Sequence, residues 1–374
     1  MTDRESGRIK YSILDPTGNI TALVESYVEM ERQPETAAFL MQLHPEVEQV
    51  GFVDFDLSRG ENGQEDGVYA KLRMAGGEFC GNASMCAAAL FLIRKAELQQ
   101  ADQKGASCST GSSGRTGSTC PGSTAGGCNA ESSCKSAVRL RVSGAADPVE
   151  LSLEEDGSGG FSASIRMPPA LEIYEKEFAA ALPAGGLGEG ADKEILEGSL
   201  PVVRMEGISH IVIEKGSPFY ALLLQPEAAK EAVCRWCEEL QAEGLGLMFL
   251  EESAQPAQGT GALPGNRSEE IDAHACPALI RARMTPLVYV PSINTVFWEH
   301  SCASGSTAAG AFLEKRAGGS IEAALLEPGG ILCVKSRASE ADALSAPGDR
   351  GRSSGIILSG HVRLAGSYEA ILPN

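Results

Sequence analysis

The stretch Met74-Ala-Gly-Gly-Glu-Phe-Cys80-Gly-Asn-Ala-Ser-Met-Cys-Ala-Ala-Ala-Leu-Phe-Leu92 decides how this chain reads. A Gly-rich turn delivers one cysteine to the start of an Ala-rich helix. The first backbone N–H groups of a helix have no partner inside it and favour negative charge in front of them. A thiol placed there ionises more readily, and the thiolate is the reactive form. Glu78 opposes that ionisation unless its carboxylate points away. The design returns in Phe297-Trp-Glu-His-Ser-Cys302-Ala-Ser-Gly-Ser-Thr-Ala-Ala-Gly-Ala-Phe-Leu313. Counted from each cysteine, Ser84 matches Ser306, Ala87 matches Ala309 and Ala89 matches Ala311. One such cysteine reads equally well as a buried thiol filling a helix–strand gap. Two copies, one in each half of the chain, point to a pair. Facing each other, Cys80 and Cys302 could take a proton from one face of a carbon and return one on the other.

Around these motifs the chain alternates short strands with helices. Lys10-Tyr-Ser-Ile-Leu and Ile20-Thr-Ala-Leu-Val-Glu read as strands joined by the turn Asp15-Pro-Thr-Gly-Asn19, and residues 1–8 read as frayed. A short helix over Pro34 to Leu43 and a strand from Val47 to Phe55 follow, then the loop Gly60-Glu-Asn-Gly. Val68 to Met74 leads into the Cys80 turn, and Cys86 on the same helix reads as core. Residues 101–136 are Ser, Gly, Thr and Cys with almost nothing apolar, which predicts a disordered insertion. Strands follow at 137–142, 149–153 and 160–169, then a Gly-rich linker around 185–190. The second half repeats the plan: a strand pair over Pro201 to Glu214, a strand over Ser217 to Leu224 and a helix from Pro226 to Gly244. Strands then lead to Cys302. Residues 253–275 and 337–354 are polar and loop-like, and His361 to Leu372 reads as the last strand.

Composition sets the bounds. A chain of 374 residues with 43% hydrophobic content is enough for two domains with sizeable cores. A formal charge of −19 argues against nucleic acid or an anionic membrane as partner. No run of 18 apolar residues suggests a membrane span, and no signal peptide is visible, so the expected location is cytoplasmic. The 11 cysteines have no framework spacing, which suits a reducing compartment. Cys234-Arg-Trp-Cys237 sits in a helical stretch without a second ligand pair, and the irregular Cys108, Cys120, Cys128 and Cys134 make no better case. No metal site is expected.

With both motifs in hand, the chain resembles the cofactor-independent two-cysteine amino acid racemases and epimerases of the diaminopimelate epimerase-like family. Cys80-Gly-Asn-Ala resembles the family's Cys-Gly-Asn-Gly/Ala, and Cys302-Ala-Ser-Gly its Cys-Gly-Ser/Thr-Gly. Gly-Gly-Glu-Phe-Cys-Gly-Asn-Ala and Trp-Glu-x-Ser-Cys-x-Ser-Gly-Ser look most like the histidine racemase branch. The resemblance implies an α+β fold of two pseudo-symmetric domains, each a curved, mostly antiparallel sheet around a central helix. It places an N-terminal half over 1–168 and a C-terminal half over 169–359. Residues 360–374 form a terminal strand returning to the first half. The active site would lie in the cleft between the halves.

Racemising an amino acid without a cofactor means removing a weakly acidic α-proton. Two bases on opposite faces, one thiol and one thiolate, spare a single base from having to move across. Gly81, Asn82, Ala303 and Ser304 are placed to bind the substrate carboxylate at the helix starts. Neither a pyridoxal lysine motif nor Gly-x-Gly-x-x-Gly appears, so no cofactor is expected. Asn19 resembles a substrate-side Asn of the family, with a plain turn residue as the equal alternative. His210, in Gly207-Ile-Ser-His, resembles the family's Gly-Asn-Pro-His, with a structural histidine as the alternative. Glu48 and Glu299 could hold the substrate amine, or could be strand-end residues facing solvent; His300 is a weaker candidate of the same kind. Ile208, Gly246-Leu-Met-Phe249 and Ile293-Asn294 replace positions at which diaminopimelate epimerases hold a second amino acid head. That favours a single-headed amino acid, histidine first. Diaminopimelate epimerase and a non-catalytic amino acid-binding protein stay open as alternatives, and a homodimer is compatible with either.

Overall fold

Alternation of inward apolar and outward polar side chains builds most of the strands. In Ser136–Val142, for example, Val138, Leu140 and Val142 are buried while Ala137 and Arg141 face out. The computed structural model describes residues 7–57, 68–107, 135–183, 193–253, 279–336 and 355–373. Its strands are β1 (Arg8–Pro16), β2 (Thr21–Val24), β3 (Gln49–Phe55), β4 (Ala70–Met74), β5 (Ser136–Val142), β6 (Val149–Glu155), β7 (Gly160–Arg166), β8 (Glu172–Pro183) and β9 (Lys193–Arg204). They continue with β10 (Ser209–Glu214), β11 (Leu245–Glu252), β12 (Ile280–Val290), β13 (Thr295–Trp298), β14 (Glu322–Glu327), β15 (Gly330–Ser336) and β16 (Ile356–Ile371). Four α-helices join them: α1 (Gln33–Leu43), α2 (Gly81–Ser107), α3 (Pro226–Leu240) and α4 (Ala303–Ala317).

The strands form one connected sheet in the order β1-β2-β3-β4-β5-β6-β7-β16-β15-β14-β12-β11-β10-β9-β8, with β13 on β12. The long β16 pairs with β15, β7 and β1, and its pairing with β1 closes the first eight strands of that order into a ring. Most neighbours are antiparallel. The parallel pairs are β2–β3, β4–β5, β10–β11 and β12–β14, and each is bridged by one of the four helices. That is the connection parallel strands require. One run of pairings therefore occurs twice: parallel across a helix, antiparallel, then parallel across a second helix.

Small side chains let strands wrap closely around α2 and α4. Helix α2 is buried on every side from Gly81 to Phe91 and packs against all eight strands of the ring. A helix apolar all round belongs inside a core. Helix α4 is buried from Ala303 to Ala311 and packs on β9, β10, β11, β15 and β16. Gly310 shows how tight that packing is: a Cβ there would stand 2.4 Å from Val334 Cγ1. Helix α3 covers a separate cluster around Trp236, Phe178 and Phe219.

Several expectations change. Ser217–Leu224 is not a strand. Pro218–Leu224 is a 3₁₀ helix in which Pro218 fixes the first φ and the Ser217 hydroxyl accepts the Phe219 N–H at 3.3 Å. Two 12-residue strands, β8 and β9, flank the Gly-rich stretch expected to be a linker and pair as antiparallel neighbours. Strands β14 and β15 went unread. Helix α2 continues through residue 107, into the stretch expected to be disordered. The rest of that insertion, with Cys108, Cys120, Cys128 and Cys134, lies outside the described residues. So do most of 253–275, 337–354, the Gly60 loop, the Gly185–Gly190 segment and residues 1–6. No helix among the described residues is long and apolar enough to cross a membrane, which says nothing of β-barrels.

Candidate active site

Each cysteine caps its helix. The Ala83 N–H donates to Cys80 Sγ at 3.3 Å, and the Ser84 N–H donates to the Cys80 carbonyl at 3.0 Å. The Gly305 N–H donates to Cys302 Sγ at 3.3 Å, and the Ser306 N–H to the Cys302 carbonyl at 2.8 Å. This is the N-cap arrangement with sulfur in place of the usual hydroxyl or carboxylate. The two helix starts meet: a Cβ added to Gly81 would lie 2.8 Å from Ala303 Cβ. The residue following one cysteine thus touches the residue following the other.

Asn19 and Asn82 bind this junction together. Asn19 Nδ2 donates to the Ser301 carbonyl at 2.6 Å, and Asn82 Nδ2 donates to the same carbonyl at 3.0 Å. Two amides from the first half of the chain thereby fix the residue ahead of Cys302. Both Asn Oδ1 atoms are buried without a hydrogen-bond partner among the described residues. As acceptors they suit a donor such as an ammonium.

Carboxylates crowd the same place. Glu299 lies in hydrogen-bond contact with the Cys302 thiol, and burial pushes its pKa up to about 8, with the charges of Glu48 and Glu78 acting in the same direction. Burial also raises Glu48 and Glu78. The Glu48 carboxylate contacts Nδ1 of the exposed His300 ring and accepts the His300 backbone N–H at 3.2 Å. Glu327, at the end of β14, is buried beside the same cysteine, Cys302. Its Oε2 accepts the Cys302 N–H at 2.7 Å, its Oε1 accepts the Ser306 hydroxyl, and burial lifts it to about 8.

The thiols do not ionise readily. Burial pushes Cys80 up to about 12, and Glu299 and Glu78 add to the rise; the Ala83 N–H opposes it. Cys302 is raised by burial and by Glu299 and Glu327. The helix-start effect anticipated from sequence is therefore present but outweighed.

A family model described as the histidine racemase CntK N-terminal domain matches residues 8–118 and 279–346, which include both cysteines. A histidine racemase of Fusobacterium nucleatum is 22% identical over 320 residues, covering 84% of this chain and 83% of that protein. A histidine racemase of Staphylococcus aureus is 23% identical over 334 residues, covering 88% and 89%. The chain is a relative of the histidine racemases. It is an isomerase of the racemase and epimerase kind. Among solved structures, a hydroxyproline epimerase from Agrobacterium vitis matches with a TM-score of 0.51 at 13% identity, covering 98% of this chain and 93% of that one. A probable proline racemase from Agrobacterium radiobacter matches with a TM-score of 0.50 at 14% identity, with the same coverage. These likenesses show the fold, and they are to proline racemase-like isomerases, not to a diaminopimelate epimerase as such.

In this histidine racemase relative, the structure gathers Cys80, Gly81, Asn82, Asn19, Glu48, Glu299, Cys302, Ala303 and Ser304 around one junction. His210 stands apart. It is fully buried on β10, burial lowers its pKa to about 3, and among the described residues neither ring nitrogen has a partner. Met248 touches both its surroundings and the first turn of α4: a Cβ on Gly246 would meet His210 Nδ1 and Met248 Cε, and one on Gly305 would meet Met248 Sδ. His210 is thus a neutral core residue one side chain removed from Cys302.

Gln49, Thr21, Ser301 and Glu327 were missed. Ser301 and Gln49 flank residues already singled out, so adjacency was the available signal. Glu327 carried none, since β14 itself went unread. Among the described residues, Cys86, Cys234 and Cys237 are free thiols, as are Cys80 and Cys302. Among the described residues, no group of three or more His, Cys, Asp or Glu side chains could hold a metal ion.

Proposed function

We propose that this protein racemises a free amino acid, histidine foremost, using Cys80 and Cys302 as a thiol/thiolate pair and no cofactor. The observation that carries this is the contact between the two cysteine-capped helix starts at Gly81 and Ala303. Two helix N-termini converging on one point supply backbone N–H groups for a substrate carboxylate. Gly81, Asn82, Ala303 and Ser304 provide them. The substrate ammonium is met by Glu299, Glu48 and the free Oδ1 atoms of Asn19 and Asn82. The α-carbon then lies between the sulfurs. One removes the α-proton as thiolate while the other delivers a proton to the opposite face, and the pair ends with its protonation states exchanged.

Charge favours a single-headed substrate. Glu48 and Glu78 already act against ionisation of Glu299, and a second substrate carboxylate would add to this acidic cluster. A cationic or polar side chain such as imidazole is favoured by the same field. The two-half organisation, with 1–168 and 169–359 flanking the site, and a cytoplasmic location belong to this proposal as well.

Incubating the protein with a panel of L-amino acids in D₂O and reading α-deuteration tests the function. Histidine should exchange and invert. Turnover of L,L-diaminopimelate without histidine would restore the epimerase reading, and binding without any exchange would leave only a binding protein.

A further inference from the structure

Beside Cys80 runs a hydrogen-bond chain whose direction can be worked out atom by atom. The Thr21 hydroxyl donates to the Asn19 carbonyl at 2.9 Å. A hydroxyl has one hydrogen, so its oxygen can only accept from its other neighbour, Gln49, at 2.7 Å. Gln49 must therefore turn its NH₂ to Thr21 and its Oε1 to Cys80, 2.9 Å from Sγ. A carbonyl oxygen accepts and cannot donate, so only the protonated thiol satisfies it. Thr21 is fully buried and Gln49 partly so, which shields both from water that could substitute.

Rotating the Gln49 amide by half a turn inverts the chain without moving its backbone. The NH₂ then donates to Cys80, which suits a thiolate. Oε1 accepts from Thr21, whose hydrogen leaves the Asn19 carbonyl. The second arrangement costs that carbonyl its partner, so the first is preferred. The titratable groups facing Cys80 are Glu78 on its own turn, Glu299 ahead of α4 and Cys86 further along α2; Thr21 also lies within hydrogen-bond reach of Cys86. None of the carboxylates favours the thiolate, which leaves Gln49 as the side-chain group able to stabilise either form.

We propose that Gln49 and Thr21 form a two-position hydrogen-bond switch that follows the protonation state of Cys80, holding it as the thiol in the resting enzyme and flipping when it becomes the thiolate. Both act as positioning residues. The inference rests on the proposed two-thiol reading, because only there must Cys80 exist in both forms within one catalytic cycle. It adds a direction for one of the two thiols: the resting protein presents Cys80 as the acid.

The test is alkylation of Cys80 by iodoacetamide as a function of pH, read on the Cys80 peptide by mass spectrometry. Thr21→Val removes the group that orients the amide, and Cys80 should react about tenfold faster at a given pH below its midpoint. Gln49→Glu fixes an acidic acceptor beside the thiol, and the midpoint should rise. Thr21→Ser keeps the hydroxyl and should restore the parent profile, which a merely structural loss would not do. Unchanged Cys80 profiles in Thr21→Val and Gln49→Glu, with native circular dichroism, would overturn the switch. Loss of racemisation is read separately by α-deuteration, so an inactive protein that still shows these shifts would refute the function and leave the switch standing.

Discussion

Gly81 and Ala303 touch at the point where the two cysteine-capped helices meet. A methyl group on Gly81 would approach Ala303 Cβ to 2.8 Å and Met167 Sδ to 3.1 Å. The approach is too close for any side chain but hydrogen, so glycine here sets the spacing of the two thiols. Gly81→Ala should force the helix starts apart and cut kcat by one to two orders of magnitude, since displacements of about 1 Å at reacting groups cost on the order of 100-fold. Adding Ala303→Gly should recover much of the loss. A double variant as slow as the single one would show that the contact does not set the geometry.

Cys80→Ala and Cys302→Ala each remove a helix cap and a small side chain. The expected destabilisation is about 1 kcal/mol, typical of a lost cap. Thermal unfolding should therefore show a folded protein for both variants, while racemisation is abolished. Near-native turnover by either variant would remove its cysteine from the mechanism.

Glu327 makes stability depend on pH in a stated direction. Its pKa rises from 4.5 to about 8 on folding, chiefly through burial. Between those values the unfolded chain binds fewer protons than the folded one, so stability falls as pH rises through that window. Glu327→Gln should flatten the decline in Tm between about pH 5 and pH 8. An unchanged slope would mean that Glu327 is ionised in the fold at all these pH values.

His210 works in the opposite sense. Its pKa falls from 6.5 to about 3 through burial. The unfolded chain then binds the extra proton, and stability is lost as pH drops from 6.5 toward 3. His210→Leu should reduce this acid sensitivity while leaving the neutral-pH fold intact. Sensitivity equal to the parent would place the acid-labile group elsewhere.

How much of this was legible in sequence follows from the range of the interactions. The cysteine-capped helices were visible because caps are local: sulfur, turn and first N–H groups lie within four residues of one another. The inward-facing strands of the first half were visible because alternation is local too. The β8–β9 hairpin was not, since Glu172–Pro183 alternates weakly and its partner strand lies beyond a Gly-rich segment. The strand assigned to Ser217–Leu224 failed because a short apolar run does not distinguish a strand from a 3₁₀ turn, and Pro218 decided the matter. Gln49 and Glu327 act on Cys80 and Cys302 across strand pairings that no sequence spacing encodes. Depressed thiol pKa values were expected from the helix starts, but burial and carboxylates from other elements dominate. The diaminopimelate epimerase label came from motif resemblance, which carries chemistry more directly than it carries sheet architecture.

The central claim is that two thiols act on opposite faces of one carbon, and initial-rate racemisation of L-histidine in D₂O tests it most directly. With Cys80 and Cys302 as separate bases, the D-histidine formed at low conversion should carry deuterium at Cα while the remaining L-histidine stays protiated. Product that retains the original proton, or substrate that gains deuterium as fast as product forms, would contradict it.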